Sequence, residues 1–229
     1  MMRINIALEG KYEGKYIAWA VDYPGCFGYG IDEQEAIINF PKDFLAYQNW
    51  INFKAGGESW LKNINDFDIH LIESFKNIEN SEKKIVCSWF QNEESPLEQL
   101  EIDQAIKILN WSRKDFLDLW QLIPETDMNQ EFEGERWTIN EIFLHVANAE
   151  WWYLDRLGLA DCNKNNLPAE PLKRLAQVRE NLVNVLHSLE NKRFVYEVEG
   201  EIWSPRKVVR RACWHEKDHL VHIQKIINR

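Results

Sequence analysis

The chain has 229 residues, 45% of them hydrophobic, and a formal net charge of −10. This length suits one large domain or two modest ones with a real buried core. The acidic balance argues against nucleic acid and anionic membranes as partners. The four cysteines show no paired spacing, which argues against a disulfide framework or a thiolate zinc site. The N-terminus lacks a signal-peptide pattern and no apolar run reaches the length of a membrane span, so we expect a cytoplasmic protein.

The first ninety residues predict a small sheet with one helix. Apolar residues alternate with polar or small ones from Arg3 onwards, which is typical of a half-buried strand. Asp32 and Glu35 predict a helix start with a capping box, and Pro41 is expected to kink or split that helix. Strands are predicted over residues 3–9, 15–22, 26–30, 67–75 and 84–90.

The composition changes at residues 92–96, an acidic stretch with a proline. We place a domain boundary there, which divides the chain into domains 1–92 and 93–229. Beyond the boundary apolar residues recur at helical spacing, and Thr138 with Glu141 predicts a capping box. Helices are predicted over residues 97–123, 137–157, 170–190 and 205–229, with an extended segment over 193–203.

Three of the six histidines lie in the last predicted helix. His215, His219 and His222 have offsets of 0, +4 and +7, which places the three imidazoles along one helical stripe. A pair of histidines at i and i+4 can grip one metal ion, and a further ligand must then come from elsewhere in the chain. His145 is the best placed, because it lies in another apolar-periodic segment. The spacing therefore predicts a metal site.

A resemblance to a known fold covers roughly the first sixty residues. The segment Asp22–Cys26, with the sequence D-Y-P-G-C, separates two predicted strands, and an acidic-capped helix begins after Asp32. Both features are similar to the HicB-like antitoxin fold. The resemblance implies that domain 1–92 is an α+β domain with a HicB-like small sheet and a helix. No DNA-binding segment follows the sheet, so this domain is expected to act as a packing or partner-binding module rather than as a repressor.

A second resemblance covers residues 97–229. The motif W-T-x-x-E-x-x-x-H begins at Trp137, and the motif W-H-x-x-x-H-x-x-H-I begins at Trp214. Both motifs resemble the DinB-like family, whose members are four-helix bundles with a three-histidine metal site. The resemblance implies that an all-α DinB-like four-helix bundle follows the α+β domain. The metal ligands that it implies are His145, His215 and His219.

Four other residues are candidates for roles beside this site. Glu141 precedes His145 by one turn and is a candidate to orient it, although the capping role already explains Glu141. His222 continues the stripe and corresponds to a position that flanks the metal. Arg210 and Arg211 are candidates to hold a substrate carboxylate, although basic residues late in a chain also simply solvate a helix face. No residue is assigned a catalytic role.

Three neutral imidazoles leave a divalent ion open to water or substrate, which is the arrangement of catalytic sites. All-nitrogen ligation suits zinc or nickel best. Some members of the resembled family are metal-dependent transferases that activate a small thiol. The leading hypothesis is thus a metal-dependent transferase or hydrolase that activates a thiol or water.

The alternative hypothesis is a non-catalytic interaction or stress-related protein whose HicB-like domain binds a partner. The expected partners are a small-molecule substrate and, through self-association, a second copy in a homodimer. Neither a specific nucleic acid nor a membrane is expected as a partner. Residues 1–95 hold nine Lys and Arg against fifteen Asp and Glu, a balance that disfavours binding to nucleic acid.

Overall fold

The computed structural model describes residues 2–61, 64–79 and 85–228. Backbone contacts divide the chain into two units, Met1–Glu94 with Glu197–Ile202 and Ser95–Tyr196 with Trp203–Arg229. The first, the N-terminal unit, is built on a sheet, and the second, the helical unit, is a bundle. Within the described ranges, no helix combines the length and the apolar character needed to cross a membrane.

A four-stranded sheet and one long helix form the N-terminal unit. The strand order is β3-β2-β1-β4, with β1 antiparallel to β2, β2 antiparallel to β3, and β1 parallel to β4. The long helix, α1, contacts β3 and β2. These elements are β1 (Met2–Tyr12), β2 (Lys15–Ala20), β3 (Phe27–Gly30), α1 (Glu33–Ala55) and β4 (Phe67–Lys76).

Strand β1 is buried on both faces in its middle, from Ile6 to Gly10. Ala7 and Glu9 are as inaccessible to solvent as Leu8 between them. The Glu9 carboxylate accepts hydrogen bonds from Trp19 Nε1 at 3.1 Å and from the Ser88 backbone N–H at 3.2 Å. The expectation of a half-buried strand is therefore wrong here, because internal donors replace the water that an isolated carboxylate would need.

Helix α1 begins where the sequence predicts and continues through its proline. The Asp32 side chain accepts from the Glu35 backbone N–H at 2.8 Å, and the Glu35 carboxylate accepts from the Ile31 backbone N–H. The helix is not split at Pro41. A proline removes one hydrogen bond of the helical ladder, whereas Phe40 and other fully buried side chains on both sides of it keep the helix packed.

A short two-stranded sheet ends the N-terminal unit, formed by β5 (Ile78–Glu79) and β6 (Ile85–Val86) in antiparallel pairing. The strand predicted over residues 84–90 is therefore reduced to β6. Residue 84, the first of the predicted strand, lies outside the described residues. A 3₁₀ helix follows at Gln91–Glu94, and another lies at Gly56–Glu58.

Four long helices form the bundle of the helical unit, as predicted. Helix α4 packs against α5 and α6, and helix α2 packs against the same two helices. The extended segment over 193–203 is present as a pair of short strands. The elements of the helical unit are α2 (Gln99–Leu122), α3 (Glu125–Met128), α4 (Ile139–Arg156), a 3₁₀ helix at Lys164–Asn166, α5 (Pro171–His187) and α6 (Pro205–Ile227). The two short strands, β7 (Tyr196–Val198) and β8 (Glu201–Trp203), fall between α5 and α6 in the chain, and their residues 197–202 belong to the N-terminal unit.

Polar caps fix the starts of the two helices that bear the histidines. Thr138 and Glu141 form the predicted capping box of α4, with the Thr138 hydroxyl accepting from the Glu141 backbone N–H at 3.2 Å. The Ser204 hydroxyl accepts from the Lys207 backbone N–H at 3.2 Å, and α6 follows with proline in its first turn. These caps set the position of each histidine along its helix.

The bundle core below the histidines is aromatic and aliphatic. The Phe143 ring centroid lies 4.3 Å from that of Phe116 and 4.6 Å from that of Trp120. Trp151 is also buried in this core, and its Nε1 donates to the Cys162 carbonyl at 2.9 Å. These contacts pack side chains of α2 against Phe143 of α4 in the core of the bundle.

Candidate metal centre

The structure brings three imidazoles together from two helices. His145 lies on α4, and His215 and His219 lie one turn apart on α6. One potential ligand atom from each of these residues lies within 4.8 Å of the other two. The ring centroids are separated by 4.9, 4.9 and 4.5 Å, which is close to an equilateral triangle. We call these residues the histidine triad.

Burial keeps the triad neutral. Burial is the main reason that the pKa of His215 lies well below its ordinary value, and the nearby His219, His145 and Arg211 add to the effect. Burial, followed by the charges of His145 and His222, lowers the pKa of His219 to about 3. The pKa of His145 is also lowered, by burial first and then by Arg136. Neutral imidazole is the form that binds a metal ion.

The donor set fits a divalent cation. His145 Nε2 and His215 Nε2 lie 3.1 Å apart, and all three donor residues offer nitrogen. Among the described residues, the buried His219 Nδ1 has no hydrogen-bond partner. An unpaired buried nitrogen costs free energy, and a bound cation is one group that can satisfy it. Three imidazole nitrogens at this spacing suit a divalent metal ion.

Aromatic rings surround the triad. Trp137 stacks on His145, with ring centroids 4.4 Å apart and planes inclined by 29°, and its centroid lies 6.5 Å from that of His219. Tyr153 meets His215 edge-on at 6.1 Å, and Trp214 lies 5.6 Å from the same imidazole. Apolar rings around polar ligands exclude water, which strengthens electrostatic interactions at the site.

A model of the DinB superfamily matches residues 108–223, just over half of the chain. The chain belongs to the DinB superfamily. TT2238, described as a four-helix bundle protein, is similar to this chain at 24% identity with a TM-score of 0.44; the match covers 54% of this chain and 98% of TT2238.

YfiT from Bacillus subtilis is described as a probable metal-dependent hydrolase with an unusual four-helix bundle topology. It is similar at 16% identity with a TM-score of 0.47, and the match covers 60% of this chain and 97% of YfiT. No curated protein matches the chain significantly.

Two candidates beside the triad occupy different positions in this DinB-superfamily bundle. The His222 ring lies 5.8 Å from that of His219, and its Nε2 lies 2.7 Å from a Glu135 carboxylate oxygen. His222 thus flanks the triad and contacts the loop before α4. Glu141 is exposed, and its carboxylate accepts from the backbone N–H and the hydroxyl of Thr138. The structure therefore places Glu141 as a helix cap.

The two arginines predicted to hold an anion also differ from each other. Arg211 is buried, and its guanidinium lies over the Trp214 ring at 5.2 Å from the centroid. Arg210 is only partly buried. One turn earlier, Arg206 of α6 donates hydrogen bonds of 2.6 and 2.8 Å to the two carboxylate oxygens of Glu101 of α2, so Arg206 is engaged in a contact between these helices.

A buried ionic cluster, which the sequence reasoning missed, fixes the helices that carry the triad. It has one residue from each long helix: Arg113 from α2, Glu150 from α4, Arg179 from α5 and Glu216 from α6. Arg113 lies 2.7 Å from Glu150 and 2.5 Å from Glu216, and Arg179 lies 2.6 Å from Glu150 and 3.3 Å from Glu216. All four side chains are less than a tenth exposed.

The cluster is electrically neutral and its hydrogen bonds are satisfied. Arg113 also donates to the Leu175 carbonyl, and Arg179 donates to the Leu109 carbonyl. Burial alone would raise the pKa of Glu150, but the two arginines hold that pKa below its ordinary value.

The signal of this cluster in the sequence is weak, since charged residues at apolar helical spacing do not reveal their partners on other helices. Glu216 adjoins His215, so the cluster supports the histidine stripe from inside the bundle.

Proposed function

We propose that this protein is a metal-dependent enzyme, a transferase or hydrolase that activates a small thiol or water at the histidine triad. The observation that carries the proposal is the convergence of three neutral imidazoles from two helices, two of them buried and that of His145 half-buried. Membership of the DinB superfamily is consistent with such a site on a helical bundle. Zinc or nickel is the proposed ion, because all donors are imidazole nitrogens.

Three protein ligands rather than four favour a catalytic site over a structural one. When bound, a divalent ion supplies a Lewis acid that lowers the pKa of the water or thiol it contacts. The residues of the chain do the remaining work. Trp137, Tyr153 and Trp214 shield the triad, and the half-buried Trp137 offers an apolar contact for a substrate. The ionic cluster keeps α4 and α6 in register, so the imidazoles are positioned before a ligand arrives.

The test begins with elemental analysis of protein purified without an affinity tag. We expect about one equivalent of divalent metal in the wild type, as for a single triad. The metal should be lost in His145→Ala, His215→Ala and His219→Ala, and largely retained in His222→Ala. Full metal occupancy in a His215→Ala/His219→Ala double variant would contradict the site.

The second part of the test is turnover. Metal-loaded protein is assayed with ester substrates for hydrolysis, and with glutathione or bacillithiol plus an aromatic electrophile for transfer. The expected result is an activity that a chelator removes and that added zinc or nickel restores. Full metal occupancy without turnover in either assay would favour the non-catalytic alternative.

We propose a second function for the N-terminal unit, which is self-association through a HicB-like module. The observation that favours it is an apolar face on α1, where Ile38, Leu45 and Phe53 are 67%, 37% and 82% exposed. In a twofold antiparallel pair of α1 helices, Ile38 of one copy would face Phe53 of the other. Lys42 would face Asn49, so no like charges oppose each other. This face therefore fits a second copy of the chain.

Light scattering after size exclusion tests this second function. The wild type should be a dimer at micromolar concentrations, and Phe53→Glu should be monomeric. Leu122→Glu is the control, because Leu122 is also exposed, at 77%, but lies on α2 in the helical unit. A monomeric wild type, or equal dissociation in both variants, would contradict self-association through α1.

A further inference from the structure

The loop that precedes α4 brings three consecutive residues to the histidine triad. Glu135 contacts His222 on α6, and Trp137 stacks on His145 of α4. Between them lies Arg136, whose guanidinium sits over the Trp137 ring at 4.8 Å from its centroid. Guanidinium, indole and imidazole thus form a layered arrangement that leads from solvent to the triad.

Both neighbours of Arg136 are held in place. Glu135 is mostly buried, with its side chain 11% exposed, and its carboxylate oxygen lies 2.7 Å from His222 Nε2. Trp137 is half-buried and also packs against the bundle core. Because the residues on either side are fixed, the exposed Arg136 is presented at a defined place beside the triad.

Arg136 is available to a ligand. In the described part of the chain, the Arg136 side chain forms no ion pair and no hydrogen bond, and it contacts the Trp137 ring. Other arginines of the helical unit are ion-paired, namely Arg113, Arg156, Arg179 and Arg206. An unpaired arginine is notable in a chain with a net charge of −10, because carboxylates are abundant.

We propose that Arg136 binds the carboxylate of a small organic acid whose other end reaches the histidine triad, with Trp137 contacting the part between. This inference rests on the proposed metal-dependent function and names the substrate class of that site. Arginine suits the role because its planar fork can donate two parallel hydrogen bonds to one carboxylate. The sequence offered Arg210 and Arg211 as the residues that hold a carboxylate, whereas this proposal assigns that role to Arg136 in the loop before α4.

The geometry supports this location. The Arg136 guanidinium lies over the Trp137 ring, and Trp137 stacks directly on His145, so a single ring separates the cation from the triad. Arg211, in contrast, is buried over Trp214 and has little surface to offer a ligand. A ligand that carries negative charge would therefore meet an exposed cation first at Arg136.

The experiment measures binding of succinate to cobalt-loaded protein by calorimetry and by the visible cobalt spectrum, with succinamide as the neutral analogue. Arg136→Gln should weaken succinate binding about tenfold, because a charge-assisted hydrogen bond is lost. Arg136→Lys should be intermediate, since lysine keeps the charge without the fork. Lys107→Gln, the same charge change at an exposed position of α2, should bind like the wild type. Succinamide should bind weakly and equally to all four proteins.

Two results would overturn the inference while leaving the metal site intact. The first is full cobalt occupancy with equal succinate affinity in Arg136→Gln and wild type. The second is a loss of affinity in Arg210→Gln that is larger than in Arg136→Gln. A wild type that holds no cobalt would instead refute the proposed function, and the inference with it. Metal occupancy, measured separately in every variant, distinguishes these cases.

Discussion

The buried ionic cluster gives the sharpest prediction about stability. Arg179→Met removes a guanidinium that contacts Glu150 and Glu216 and donates to the Leu109 carbonyl, and it leaves two buried carboxylates facing one arginine, Arg113. Removing one partner of a buried pair costs about 3–5 kcal/mol, because the remaining charge is unpaired. We expect a loss of this size in the free energy of unfolding of the metal-free protein, measured by chemical denaturation and circular dichroism.

A double variant separates charge pairing from simple loss of packing. In Arg179→Met/Glu150→Leu the remaining pair is Arg113 with Glu216, which lie 2.5 Å apart and are together neutral. The double variant should therefore be more stable than Arg179→Met alone, which is the opposite of additive behaviour. The control Lys114→Met breaks an exposed pair with Asp118 and should change stability little.

Two outcomes would refute this reasoning. One is a loss of less than about 1 kcal/mol in Arg179→Met, well below the range for an unpaired buried charge. The other is additivity. If Glu150→Leu lowered the free energy of unfolding by the same amount in Arg179→Met as it does in the wild type, the two residues would not interact.

Three further predictions concern pH, thiol reactivity and the domain boundary. The folded pKa of His219, about 3, lies below the unfolded value of 6.5, so the metal-free protein should lose stability as pH falls below 6.5. By pH 5 His219 alone should account for about 2 kcal/mol of the loss, so in acid titrations followed by denaturation His219→Gln should lose about that much less than the wild type, while His215 and His145 still contribute. Burial raises the pKa of Cys213 to about 12, so mass spectrometry should find it unalkylated by iodoacetamide at pH 8 until the protein unfolds. A fragment of residues 93–229 should be helical by circular dichroism and bind metal; an unfolded fragment would mean that the boundary is wrong.

Residues whose environment is set within their own helix were predictable. The spacing of His215 and His219 places both on one stripe whatever the tertiary structure, and the capping box of α4 depends on four consecutive residues. The approach of His145 was implied by resemblance rather than by spacing. It depends on α4 and α6 packing together, which no local pattern encodes.

Features that depend on distant partners were missed or wrong. The ionic cluster joins four helices, and no sequence window contains two of its residues as neighbours on one helix. Trp137 lies in a motif with His145, but its stacking on that ring follows from the path of the loop before α4. Pro41 was expected to kink or split α1; the helix is not split there, and tertiary packing on both sides keeps it continuous.

The 3.1 Å separation of His145 Nε2 and His215 Nε2 has a consequence for metal loading. A hydrogen bond between two neutral imidazoles requires one ring to carry its proton on Nε2 and the other to carry it on Nδ1. For both Nε2 atoms to bind one ion, the first ring must move its proton to Nδ1. Loading would then be a tautomer exchange within a folded bundle, with no imidazolium proton to release, and the uptake of metal at neutral pH should leave the proton count of the triad unchanged.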